Sequence, residues 1–164
     1  MKKVIEEYEN NKQNGPVFIH TVTMENHMPY DDGYKMNNIT VNNDKVSEES
    51  KNLLETYANS VKNTDKSIKY LIDYFSKIEK PTIIVVYGDH APALGDDYKV
   101  YRELGYISQG DTLSIEDYMK LYQTPFMIWN NYDLEHKRYE IIDASYLGSL
   151  VLDYAGINSG SYIY

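Results

Sequence analysis

Pro81-Thr82-Ile83-Ile84-Val85-Val86-Tyr87-Gly88-Asp89-His90 is the stretch whose reading decides the fold. From Thr82 to Tyr87 the run is β-branched and aromatic, without polar alternation. Such a run suits a strand buried on both faces, as in a parallel sheet with helices on each side. Gly88 ends it, and Asp89 and His90 follow at once. Ligands of open α/β sheets bind beyond the carboxyl ends of the strands, so an acid and an imidazole stand where chemistry sits. Carboxylate oxygen and neutral imidazole nitrogen suit zinc, manganese or iron. Successive strand residues point to opposite faces. A glycine just before the pair gives the backbone freedom to bring both side chains together. Read alone, the tripeptide also fits a plainer account, a strand and a polar turn with His90 on the surface.

Upstream, Val17-Phe18-Ile19-His20-Thr21-Val22-Thr23-Met24 is a second strand candidate, entered through Pro16. His20 inside it reads as a hydrogen-bonded core or edge histidine. The next residues are Glu25-Asn26-His27-Met28-Pro29-Tyr30, and Pro29 disfavours helix at Met28. His27 therefore sits on a loop after a strand, the same topological place as His90. Neighbouring parallel strands would bring two such ends together. Residues 31–44 are polar and rich in Asn and Gly, a loop with one short extended piece at 39–41. A long helix follows, with Ser47 as N-cap and acids in its first turn. Leu54, Tyr57, Val61, Ile68, Leu71 and Phe75 give it an apolar stripe. Asn63, Thr64 and Asp65 interrupt the stripe at a candidate kink. Strand, helix, strand in this order predicts a right-handed parallel crossover.

Shorter helices are predicted over 4–12, 98–106, 114–122 and 144–154, with Gly156 placed to end the last. In the third of these, Ile115, Tyr118, Met119 and Tyr122 share one face. Pro125-Phe126-Met127-Ile128-Trp129 is a third strand candidate. His136 lies in a charged stretch and reads as solvated. The fold class expected is α/β, a mostly parallel sheet flanked by helices.

Composition narrows the function. The 164 residues suffice for one domain with a core. A net charge of -9 argues against a nucleic-acid surface and against adsorption to an anionic bilayer. The absence of cysteine excludes disulfides, thiolate zinc sites and cysteine nucleophiles. No apolar run reaches membrane-spanning length, so direct membrane insertion by this chain is not expected. The 18 tyrosines fit amphipathic packing between surface and core. P-loop, dinucleotide-binding and nucleophile-elbow patterns are absent.

Four patches taken together carry a family resemblance. They are Phe18 through Tyr30, Val86-Tyr87-Gly88-Asp89-His90, Thr124 through Tyr132, and Ala144 through Gly156. In order and spacing they resemble the carboxy-terminal half of the catalytic domain of lipoteichoic acid synthases. These are phosphoglycerol transferases of the sulfatase branch of the alkaline phosphatase superfamily. The resemblance implies a partial sulfatase-like fold, with residues 1–164 as one incomplete domain. It implies that Asp89 and His90 are metal ligands, usually for manganese. It also implies that His27 contacts the phosphoglycerol headgroup of a phosphatidylglycerol-type donor, at the extracellular face of the cell membrane. The family's further acidic ligand and its threonine nucleophile belong to an amino-terminal half not represented in these residues. Thr21, Thr23 and Thr40 do not match the nucleophile's context. No catalytic residue is therefore assigned within this chain, and the chain alone is expected to be inactive. A sulfatase or phosphodiesterase acting on another phosphate or sulfate ester stays open, and so does a non-catalytic binding module. Sheet faces left unpaired would favour self-association.

Overall fold

The computed structural model describes residues 1–30, 39–135 and 137–157. The chain forms two compact units. The first contains Met1–Leu71 and Asp89–Thr124, and the second contains Ile72–Gly88 and the chain from Pro125 onward.

The first unit opens with α1 (Lys2–Asn11). Helix α2 (Glu48–Phe75) starts here and ends in the second unit. Its start is capped as expected, with Ser50 N donating to Ser47 Oγ at 3.3 Å. The helix runs unbroken through residues 63–65. There Asn63 Nδ2 donates to Glu25 Oε1 at 3.3 Å, and the Thr64 hydroxyl donates to Asn26 Oδ1. The gap in the apolar stripe is thus a docking place for the loop of His27, not a kink. Small polar residues, Ser50, Thr56, Asn59 and Ser60, are buried on the amino-terminal half of α2. Asn59 Nδ2 and Ser60 Oγ are satisfied by helix carbonyls of Glu55 and Tyr57, both at 2.8 Å. After a 3₁₀ turn come α3 (Lys99–Glu103) and α4 (Ile115–Leu121). Val100, with 1% of its surface exposed, is the most enclosed apolar side chain of this unit's core, which also holds Leu94, Ile107 and Leu121.

In α4 the apolar residues that share one face are turned outward. Ile115 and Tyr122 are each 81% exposed, and Tyr118 and Met119 are exposed as well. The inward residues are Leu121 and Asp117, which is only 4% exposed. The polar inward residue is possible because its carboxylate is saturated. It accepts from Ser114 N (3.0 Å) and Oγ (2.8 Å), and from Ser108 N (3.1 Å) and Oγ (2.8 Å). Asp117 N in turn donates to Ser114 Oγ at 3.1 Å, closing a capping box. These bonds, the Ser114 backbone N–H foremost, hold the Asp117 carboxyl well below the usual carboxylate range. Protonation of the folded chain would cost them. The stability Asp117 contributes is therefore fully present above the ordinary aspartate value of about 3.9 and is lost as pH falls toward the depressed folded value. Asp117→Asn is expected to be less stable than the wild type at neutral pH and to lose less on acidification below about pH 4. Acid unfolding of the two proteins, followed by circular dichroism, checks this; parallel curves would remove the role.

The second unit contains β1 (Ile83–Tyr87), β2 (Phe126–Asn130) and α5 (Leu147–Tyr154). Both strands lie where the apolar runs place them. The mostly parallel sheet is not found. Among the described residues the sheet has two strands, and they pair antiparallel, from Ile83 opposite Asn130 to Tyr87 opposite Phe126. Gly88 N to Pro125 O (3.1 Å) and Asn131 N to Thr82 O (3.2 Å) extend the ladder at both ends. Residues 17–24, expected to be a parallel neighbour, carry no regular structure, and Phe18 is 90% exposed. The crossover therefore loses its first strand. An unbroken apolar run reports the burial of a strand's faces and says nothing about the direction of its neighbour. Even the burial is partial, since only Ile84 of β1 is buried.

Asn131, just past β2, organises this unit. Its Oδ1 accepts from Thr82 N at 2.7 Å. Its Nδ2 donates to the carbonyls of Phe75 (3.2 Å), Ile78 (2.7 Å) and Lys80 (3.0 Å). One side chain thus joins the end of α2, the connection into β1 and the end of β2. Tyr132 adds a bond from its hydroxyl to the Tyr154 carbonyl at the end of α5, at 2.8 Å.

Candidate functional site

Asp89 and His90 follow Gly88 directly after β1, and both side chains are open to solvent. His90 N donates to Asp89 Oδ1 at 3.0 Å, which fixes the carboxylate against its own backbone. The His90 ring is fixed by Nδ1, which lies 2.9 Å from the Ala91 carbonyl. A carbonyl only accepts, so Nδ1 carries a proton and Nε2 is the ring atom left to face a ligand. That Nε2 stands 3.7 Å from Asp89 Oδ2.

His27 lies on the turn closed by His27 N donating to Met24 O at 3.1 Å. Its ring repeats the arrangement of His90. Nδ1 donates to the carbonyl of the following residue, Met28, at 2.6 Å. Asp89, His90 and His27 all belong to the first unit. Asp89 and His90 are brought together. No hydrogen bond or ion pair among the described residues joins His27 to either. His20 is exposed, and His136 lies outside the described residues, as do 31–38 of the expected rim loop.

The donor pair has the chemistry and the spacing of metal ligands. Two ligands each about 2.1 Å from one ion at a tetrahedral angle stand about 3.4 Å apart, close to the observed separation. The number of ligands falls short. Among the described residues no three His, Asp or Glu side chains are grouped to hold an ion, whereas catalytic centres use three or more. These residues fit part of a ligand set, and no reaction step is assigned through a metal held by this chain alone.

Both loops are braced by phenols that single positions in the sequence did not reveal. The Tyr30 hydroxyl donates to the Asn26 carbonyl at 2.9 Å, and the Thr64 hydroxyl donates to the Asn26 side chain. The Tyr101 hydroxyl donates to Pro92 O at 2.8 Å, two residues past His90. Tyr30 and Tyr57 meet edge to face at 5.7 Å, and Tyr101 meets Tyr106 at 5.8 Å. Burial, then the nearby phenols of Tyr57, Tyr30 and Tyr106, pushes the Tyr101 hydroxyl up to about 12. The abundance of tyrosine was the available signal, but composition does not say which rings meet.

The sulfatase family model matches residues 1–157. A Rhizobium meliloti (strain 1021) protein, "Putative cyclic beta-1,2-glucan modification protein", is 34% identical over 145 residues, covering 86% of this chain and 22% of that protein. An uncharacterized protein of Haemophilus influenzae is 23% identical over 145 residues, covering 88% of this chain and 24% of its own length. The chain thus spans less than a quarter of either relative. No solved structure matches it significantly. No helix among the described residues is long and apolar enough to cross a membrane. With the family match running over nearly all of its length, the chain belongs to the sulfatase family.

Proposed function

We propose that residues 1–164 form the carboxy-terminal part of the catalytic domain of a longer, metal-dependent phosphoglycerol transferase at the extracellular face of the cell membrane. The observation that carries this reading is the Asp89–His90 pair, with Nε2 turned to within 3.7 Å of the carboxylate. Asp89 and His90 supply two ligands to a manganese ion, and the remaining ligands and the nucleophile come from outside these residues. A bound divalent ion supplies Lewis-acid polarisation of a phosphoryl oxygen. His27, through Nε2, orients the phosphoglycerol headgroup of a phosphatidylglycerol-type donor. The name of the Rhizobium meliloti relative, which refers to glucan modification, supports a glucan as acceptor.

Family membership also supports a second reading, hydrolysis of a sulfate or phosphate diester with water as acceptor. Product analysis separates the two. The longer enzyme, given phosphatidylglycerol, manganese and a glucan acceptor, is expected to release diacylglycerol and leave phosphoglycerol on the acceptor. Release of free glycerol phosphate with no modified acceptor, or turnover of aryl sulfates alone, would overturn the transferase reading.

A further inference from the structure

We propose that a cleft beside β2, in the second unit, binds a sugar carrying one anionic group, with Lys137 and Arg138 holding the anion and Tyr139 and Tyr154 flanking the ring. The site uses none of His27, Asp89 and His90, so it stands or falls apart from the role given to them.

Alternation along β2 puts Phe126, Ile128 and Asn130 on one face of the strand. All three line a cleft of about 270 Å³. The chain turns back after Asn131, since the Tyr139 ring meets the Phe126 ring with centroids 6.1 Å apart. Lys137, Arg138 and Tyr139 form one wall, and Tyr154, the last residue of α5, adds another. Tyr132 ties floor to wall. Its backbone N–H donates to Asn130 Oδ1 at 3.2 Å, and its hydroxyl donates to the Tyr154 carbonyl at 2.8 Å. With Oδ1 so engaged, the Asn130 side chain keeps Nδ2 as a donor without a partner among the described residues.

The cations of the cleft stand out against a chain of net charge -9. Lys137 and Arg138 are adjacent and exposed, and neither makes an ion pair or hydrogen bond among the described residues, although Asp133, Glu135 and Glu140 are close in sequence. A guanidinium offers a planar fork of donors to an oxyanion, and an ammonium adds a point charge. Glu135 lines the same cleft and offsets one of the two cations, which favours a ligand of low charge. The volume lies just under the ~300 Å³ at which small-molecule sites begin, room for one ring and its charged substituent. Aromatic faces beside phenol hydroxyls and a free amide donor suit a body with apolar faces and a polar rim, which describes a sugar and not a hydrocarbon.

Calorimetric titration of the full chain with glucose 6-phosphate, glucuronate, glucose and inorganic phosphate tests this. At least one of the two charged sugars is expected to bind at a single site, about 10-fold or more tighter than glucose or inorganic phosphate. The tighter of the two identifies the anion as phosphate or carboxylate. Lys137→Gln and Arg138→Gln alter exposed side chains and are each expected to weaken binding about 10-fold, with folding checked by circular dichroism. Glu135→Gln removes the opposing charge and is expected to tighten binding about 3-fold, a gain that a merely structural role would not produce. No saturable binding of either charged sugar up to about 10 mM would overturn the site. Glucose binding as tightly as the charged sugars would remove the cations from it. Inorganic phosphate binding as tightly would leave an adventitious ion only and no sugar site. Unchanged affinity in both folded cation variants would place the sugar elsewhere on the chain and equally sink the proposal.

Discussion

Asp89→Ala and His90→Ala, made in the longer enzyme proposed above, are each expected to lower turnover by more than about 100-fold. Loss of a group that only supports a metal ligand already costs about 10–100-fold in affinity or activity. Loss of the ligand itself should exceed that. Stability should hardly change. Both side chains are open to solvent, at 78% and 65% exposure, and exposed substitutions stay within about 0.5 kcal/mol. The combination of a large kinetic loss with an unchanged melting temperature and a reduced manganese content is the signature sought. Turnover retained within a few-fold in either variant would remove the pair from the reaction.

Asn131→Ala is expected to have the largest effect on folding, about 2–4 kcal/mol. Each net hydrogen bond contributes about 0.5–1.5 kcal/mol, and a buried partner left unsatisfied costs more. The substitution strips Thr82 N of its acceptor and leaves the carbonyls of Phe75, Ile78 and Lys80 without their shared donor. The Phe75 carbonyl keeps a bond from Ile78 N (3.1 Å) and the Lys80 carbonyl one from Thr82 Oγ1 (3.0 Å), so the loss falls hardest on Thr82 N and the Ile78 carbonyl. Asn131→Asp keeps the acceptor for Thr82 and sets a carboxylate against the three carbonyls. It is expected to be at least as damaging. Urea unfolding midpoints of the three proteins decide it, and a change below about 0.5 kcal/mol for Asn131→Ala would show the side chain to be dispensable.

Asn131 also illustrates what the sequence could show. The residue was visible as the end of a strand, but its bonds span as many as 56 positions, and no local pattern encodes them. A β-branched and aromatic run alone does not decide, since residues 17–24 carry the same signal and form no strand, but both strands were legible as such runs. Their direction was not, since pairing is a property of two segments. Helix α4 was located within a residue at each end, and its apolar residues were grouped on one face without showing which way that face turns. The apolar period identified a face, and the capping box around Asp117 then decided which face turned inward. At the candidate site, Asp89 and His90 were legible because they are adjacent. The bracing of His27 was not, because Asn26 and Thr64 stand 38 residues apart.

The two histidine rings carry one more consequence. Each is tethered through Nδ1 to the carbonyl of the very next residue, Met28 or Ala91. Such a tether uses no distant partner, so the rotamer freedom that a ligand would otherwise have to remove is already curtailed within a few bonds of backbone. Preorganisation of the donor nitrogens is in that sense written into two short peptides. On the function proposed above, an ion or phosphate meeting them finds ring nitrogens whose local aim is set in advance, and the entropic penalty of capture is correspondingly smaller.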